Sequence, residues 1–95
     1  MVVGCGRITL RIHDSRSLKA KRKVVRAVVA RLRNHFNASV AEVGDNDMHQ
    51  RALIGVAAVG NDTGVVNAKL DKMLDLIEDL GLAELVDAQM EIIHL

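Results

Sequence analysis

The segment Leu18–Phe36, LKAKRKVVRAVVARLRNHF, decides the fold because its apolar residues repeat with helical spacing over nineteen positions. A strand of that length is rare in globular proteins. Ser17 precedes the segment and is a suitable N-cap, since its hydroxyl can accept from an unpaired amide of the first turn. The segment therefore predicts an amphipathic helix with an apolar stripe formed by Leu18, Val25, Val28, Val29, Leu32 and Phe36.

Strands are predicted on both sides of this helix. Residues Val2–Ile12 alternate between apolar and polar side chains, which is typical of a strand with one buried face. After the helix, Ala38–Val43 and Gln50–Val59 are rich in branched and small residues and flank the turn Gly44–Asp47. The two segments predict an antiparallel hairpin.

The rest of the chain predicts a second helix and a fourth strand. The loop Gly60–Gly64 contains several candidate N-caps, Gly81 is a candidate C-cap, and Leu85–Leu95 follows as a strand. With right-handed crossovers, this order predicts one ferredoxin-like α+β domain over residues 1–95. It is a βαββαβ two-layer sandwich with an antiparallel sheet ordered 4-1-3-2 and both helices on one face.

Composition is that of an ordinary globular domain. The chain has 95 residues, of which 49% are hydrophobic and 26% charged. No apolar run approaches the roughly 20 residues that cross a bilayer, and the first residues lack a basic stretch ahead of an apolar one. Cys5 is the only cysteine, which excludes an internal disulfide. We expect a cytoplasmic protein with no membrane partner.

Charge is distributed unevenly along the chain. Residues 1–41 contain ten Lys and Arg and one acid, whereas residues 42–95 contain three Lys and Arg and eleven acids. The formal net charge of +1 therefore combines a half at +9 with a half at −8. Halves of opposite charge favour binding to different partners or to each other.

No residue pattern in the chain indicates catalysis. His13, Asp14 and Ser15 are the residue types of a hydrolase triad, but adjacent side chains cannot adopt its geometry. Asp45, Asp47 and His49 match the spacing of no defined metal site. We expect no catalytic residue, no metal and no cofactor, while a small enzyme using a pocket at the hairpin remains an alternative.

The basic stretch around the start of the first helix is the main functional signal. Cations in the first helical turn oppose the helix dipole, so helix stability does not explain them. A phosphate backbone is a partner that such residues can track. A solvated charged face is the alternative explanation. The predicted nucleic-acid or anion-binding residues are Arg16, Lys19, Lys21, Arg22, Lys23, Arg26 and Arg33.

Recognition of RNA bases by stacking on the sheet is excluded by composition. Domains of this topology that read RNA stack bases on aromatic residues of the central strands. Phe36 is the only Phe, Tyr or Trp in the chain, and it falls on the apolar stripe of the first helix. Any RNA contact is therefore expected to be electrostatic, with little sequence readout.

Two further surfaces are predicted. The sheet face away from the helices is open and partly apolar, which favours a homodimer through that face. Its expected residues are Val3, Cys5, Arg7, Thr9, Arg11, Leu53, Gly55, Ala57, Val59, Asp87, Gln89, Glu91 and Ile93. At the hairpin, Glu42 is expected to pair with Arg51 across the strands, and Glu42, His49 and Arg51 are the candidate residues of a small pocket.

Three segments, SLKAKR (17–22), SVAEV (39–43) and DMHQRALIGVA (47–57), resemble the YlxP-like family of small bacterial proteins. His49 stands where tryptophan is usual in that family, and Ala20 replaces a common glutamate. The family has no known function. Its genes are often found beside those for transcription elongation and translation initiation factors, and the resemblance therefore implies RNA or ribosome biology.

These observations favour a non-enzymatic accessory module that associates with structured RNA or a ribosomal particle through the basic first helix. The alternative is a homo-oligomeric protein-interaction module without a nucleic-acid partner. In that alternative, the acidic second helix of one molecule meets the basic helix of another.

Overall fold

The computed structural model describes all residues, Met1–Leu95. The elements follow one another in the predicted order, with bounds close to those expected. Neither helix combines the length and apolar character needed to cross a bilayer. The elements are β1 Val2–Arg11, α1 Leu18–His35, β2 Ser39–Gly44, β3 Arg51–Gly60, α2 Thr63–Leu80 and β4 Glu84–His94.

The four strands form one sheet in the order β2-β3-β1-β4, and all neighbouring pairs are antiparallel. In the central strand, Ile8 lies opposite Ile54 on one side and Ala88 on the other. Residues from both helices join a single core with the same face of this sheet. The arrangement confirms the predicted ferredoxin-like sandwich.

The two helices bury stripes with identical spacing. Helix α1 buries residues 21, 25, 28 and 32, and helix α2 buries residues 66, 70, 73 and 77. Seven of these eight positions carry apolar side chains, as a helix packed on a sheet requires. The eighth is Lys21, which occupies in α1 the place that Val66 has in α2.

Local signals set the helix ends. The Ser17 hydroxyl accepts from the Ala20 amide at 3.1 Å, and the Asp62 carboxylate accepts from the Val65 amide at 3.0 Å, so each helix has a side-chain N-cap. Gly81 has φ 63° and ends α2 in the left-handed conformation that glycine adopts without steric cost. The caps at Ser17 and Gly81 confirm the sequence predictions, and Asp62 is one of the several candidates in the loop Gly60–Gly64.

The β2–β3 hairpin is tied to the loop between β1 and α1. The Ile12 backbone amide donates to the Gln50 carbonyl at 2.9 Å, and the Gln50 side-chain Nε2 donates to the Ser15 carbonyl at 3.4 Å. The pairing of β2 with β3 shifts register between Glu42 and Gly44. Because of the two hydrogen bonds, the hairpin tip and the start of α1 lie together at one end of the sheet.

Candidate nucleic-acid interface

The exposed part of α1 carries a set of cations that no carboxylate of the molecule neutralises. We call the exposed residues Lys19, Arg22, Lys23 and Arg26 the helix surface. Close contacts between basic and acidic side chains join Lys21 to Glu42, Arg51 to Asp45 and the His13 imidazole to Glu84, so none involves this surface. The first turn of α1 also lacks an acidic residue. Positive charge therefore remains concentrated at the positive end of the helix dipole.

A groove of about 520 Å³ runs between α1 and β2 and extends the positive charge. Arg22, Arg26 and Arg33 line its helix side. Arg33 also donates from Nε and Nη2 to the Val40 carbonyl, at 3.1 and 2.6 Å. This predicted anion-binding residue therefore caps a carbonyl on the outer edge of β2, and only part of its donor capacity faces solvent.

Lys21 does not belong to the exposed surface that the sequence predicted. Its side chain is fully buried, and its Nζ lies 2.9 Å from Glu42 Oε2. Nζ also donates to the Asp45 carbonyl at 2.5 Å. The prediction of an exposed Lys21 is wrong because this residue continues the buried stripe one turn upstream of Val25.

The Lys21–Glu42 pair is mainly electrostatic. Glu42 Oε2 is buried and receives no hydrogen bond of good geometry, although the ammonium lies within 2.9 Å. Removing either partner would leave an uncompensated charge in the interior, which is strongly unfavourable. Because Nζ also holds the Asp45 carbonyl, the pair fixes the start of the hairpin turn against α1.

Two predictions about the hairpin are wrong. Glu42 lies opposite Ile54 and faces α1, whereas Arg51 points to the other sheet face and pairs with Asp45 at 3.0 Å. Glu42 and His49 likewise line different cavities, the groove beside α1 and a pocket at the end of the sheet. The cause is side-chain alternation, since neighbouring positions of a strand project to opposite faces.

The pocket at the end of the sheet unites residues from both predicted sets. It has a volume of about 710 Å³. Arg16 comes from the basic segment, His49 and Arg51 come from the hairpin, and Arg11 joins them from β1. We call this cavity the end pocket; it is lined by Thr9, Leu10, Arg11, Ser15, Arg16, Met48, His49, Gln50, Arg51 and Val86.

The sequence places Arg11 on the open sheet face but does not predict it as an anion-binding residue. The missing information was strand register, which places Arg11 directly opposite Arg51 on the open face of the sheet. Arginines at the end of one strand and at the start of another indicate a shared site only when the pairing and register of the two strands are known.

The open sheet face changes character along its length. At one end, Val3 lies between Val59 and Ile93, and the latter two are exposed. Towards the end pocket, Arg7 donates to the Gln89 side chain at 2.6 Å. No ion pair joins an arginine to a glutamate across the strands of this face. The face is therefore apolar at one end and cationic at the other.

Comparison with known proteins gives a family for the chain. Residues 3–90 match the model of a family described as "Protein of unknown function (DUF503)". The chain belongs to this family. It is also 37% identical over 67 residues to the uncharacterized protein YlxP of Bacillus subtilis (strain 168), a match covering 70% of this chain and 73% of YlxP. The resemblance to YlxP-like proteins is thereby confirmed.

Solved structures support the fold of this family member. The de novo designed protein Foldit4 superposes with a TM-score of 0.51 at 12% identity, covering 98% of this chain and 96% of the designed chain. The VAO-type flavoprotein MtVAO615 of Myceliophthora thermophila C1 superposes with a TM-score of 0.53 at 17% identity. That match covers 96% of this chain but 16% of the flavoprotein. At such identities, the likeness concerns the fold alone.

Proposed function

We propose that this member of the DUF503 family is a non-enzymatic accessory module that binds structured RNA or a ribosomal particle through the helix surface. One observation carries the proposal: Lys19, Arg22, Lys23 and Arg26 are exposed and have no carboxylate partner. Cations in this arrangement bind phosphates and release condensed counterions, which favours association with a polyanion.

The mode of binding is electrostatic. Phe36, the only aromatic residue besides histidine, is half-buried and packs against the core, so no aromatic platform for bases exists on the sheet. Arg22 and Arg26 are one helical turn apart and project beside the groove along β2. The partner is therefore an RNA backbone recognised by charge and shape, as is typical of double-stranded RNA binding.

Helix α2 supports a one-sided interaction. Its exposed residues include Asp71, Asp75, Glu78 and Asp79, whereas its lysines are limited to Lys69 and Lys72. A polyanion is repelled by this acidic surface and attracted by the helix surface. The charge separation thus orients the molecule during encounter.

The test compares two matched double variants. Arg22→Gln with Arg26→Gln removes two cations from α1, and Lys69→Gln with Lys72→Gln removes two cations from α2. We expect the α1 variant to bind a structured RNA hairpin about tenfold more weakly in fluorescence anisotropy at fixed low salt. The α2 variant should bind as the unmodified protein does. Equal affinities for all three proteins would refute the role of the helix surface.

Association with ribosomal particles is tested separately by sedimentation. The tagged protein should co-sediment with ribosomal particles at low salt, and the α1 variant should shift to the top of the gradient. Binding to the isolated hairpin without co-sedimentation would restrict the partner to smaller RNAs. Co-sedimentation of the α1 variant at the level of the unmodified protein would contradict the proposal.

The apolar end of the open sheet face favours a second candidate function, a homo-oligomeric interaction module. Val59 is 58% exposed and Ile93 is 37% exposed, and both flank Val3. A dimer through this end should persist in high salt and dissociate when Val59 is replaced by Asp, as measured by light scattering. A dimer in which α1 meets α2 should instead dissociate as salt rises.

A further inference from the structure

We propose that the end pocket binds a phosphomonoester, the doubly charged terminal phosphate of a nucleotide or of an RNA strand. Arg11, Arg16, Arg51 and His49 line the cavity, and no acidic residue is among its lining residues. This site is separate from the helix surface, and its occupancy does not require the proposed function to be correct.

The strand register supplies an independent argument. Arg11 and Arg51 lie directly opposite each other on adjacent antiparallel strands. Like charges at such positions destabilise a sheet, since the side chains start about 5 Å apart. Asp45 engages Arg51 at Nε, and Glu84, which faces Arg11 from β4, engages His13 at 3.0 Å. An anion held between the two arginines relieves the repulsion that remains.

The donor geometry favours phosphate over a simple halide. Each guanidinium presents a planar fork of N–H donors that matches two phosphate oxygens. Arg16 has no intramolecular hydrogen bond or ion pair, and Asp45 Oδ2 lies 3.0 Å from Nε of Arg51. Arg16 therefore keeps its full set of donors for the oxygens of a phosphomonoester, and Arg11 and Arg51 line the same cavity.

The rest of the cavity fits an organic group attached to the phosphate. A volume of about 710 Å³ lies within the usual range for small-molecule sites. Met48 and Val86 line it and are 47% and 56% exposed. These side chains form an apolar wall beside the arginines, against which a sugar or base can pack.

The experiment measures binding of a nucleoside 5′-monophosphate and of the matching nucleoside by calorimetry. A second pair consists of a short single-stranded RNA with a 5′-phosphate and the same RNA with a 5′-hydroxyl. Arg16→Gln removes an exposed arginine of the pocket, and Arg31→Gln removes an exposed arginine of α1 outside it. We expect the phosphorylated member of at least one pair to bind preferentially, and Arg16→Gln to weaken that binding at least tenfold. Arg31→Gln should have no effect.

The outcomes separate the two sources of phosphate. Preference within the nucleoside pair indicates a free nucleotide, and preference confined to the RNA pair indicates an RNA terminus. Absence of preference in both pairs, or equal binding by Arg16→Gln and the unmodified protein, overturns the proposal. Equal hairpin affinities in the helix-surface test, together with retained monophosphate binding, would refute the proposed function and leave this site intact.

Arg11→Gln provides a second readout. By removing the like-charge contact with Arg51, it should raise the Tm of the ligand-free protein and abolish the rise in Tm that the monophosphate produces. A lower Tm for the ligand-free variant would show that Arg11 serves structure, and would contradict the proposal.

Discussion

Helices α1 and α2 have the same length and the same buried spacing, but their exposed faces are opposite in charge. Each contains 18 residues. Helix α1 carries seven Lys and Arg and no acid, whereas α2 carries four acids and two lysines. The common spacing is what packing against the sheet requires. The difference in exposed charge contributes nothing to that packing, and it is the feature that a partner recognises.

The comparison also isolates Lys21. The corresponding position in α2 is Val66, which is buried in the core and makes no ion pair. An apolar pair of side chains would cost less to bury than Lys21 and Glu42. The desolvation of the two charges offsets much of their attraction. The buried ion pair with Glu42 and the bond to the Asp45 carbonyl give this lysine a specific task, which is to hold the hairpin against α1.

The largest expected effect comes from breaking this pair. Lys21→Ala leaves the Glu42 carboxylate beside a cavity without its counter-ion, and we expect the free energy of unfolding to fall by about 3 kcal/mol, near the lower end for buried pairs because Glu42 keeps partial exposure. Urea denaturation monitored by circular dichroism measures the change.

The matched control replaces both partners. Lys21→Met combined with Glu42→Leu removes both charges and keeps apolar volume, so its stability should lie within about 1 kcal/mol of the unmodified protein. A double variant as unstable as Lys21→Ala would show that the ion pair itself, and not the stranded charge, accounts for the loss.

The next effect tests the equivalence of the two helices. Ser17→Ala and Asp62→Ala each remove a side-chain N-cap, and each should destabilise the protein by about 1 kcal/mol. Thermal unfolding compares the two variants directly. Losses that differ by more than twofold would show that the helices are not equivalent as scaffold elements.

The smallest effect concerns the cost of the helix surface. Lys19→Glu replaces a cation in the first turn of α1 by an anion, which should stabilise the protein by roughly 0.5 kcal/mol and weaken RNA binding. Lys23 lies beyond the first turn, so Lys23→Glu should weaken RNA binding without a gain in stability. Chemical denaturation and anisotropy on the same samples measure both quantities. A loss of stability in Lys19→Glu would indicate that this lysine supports the fold.

The sequence was sufficient for features that depend on local pattern. Helix periodicity, the caps at Ser17 and Gly81 and the hairpin all follow from neighbouring residues, and together they determine the topology. Phe36 could likewise be assigned to the core because it lies on the apolar stripe. Such features require no knowledge of how distant segments meet.

Features that depend on register or burial could not be predicted in the same way. Lys21 lies in a run of cations, and lysine is almost never fully buried, so the sequence favours an exposed position although the residue lies on the buried stripe. The end pocket combines β1, the hairpin and Val86 beside a register shift in β4. A shift of one residue would turn Arg51 away from Arg11, and the sequence does not specify it.

The salt dependence of RNA binding tests the central claim most directly. A plot of the logarithm of the binding constant against the logarithm of salt concentration gives the number of phosphates contacted. We predict that Arg22→Gln with Arg26→Gln lowers the magnitude of the slope by about 1.4 to 1.8, the value for two lost phosphate contacts, while Lys69→Gln with Lys72→Gln leaves it unchanged. Identical slopes for the two double variants would contradict the assignment of RNA binding to α1.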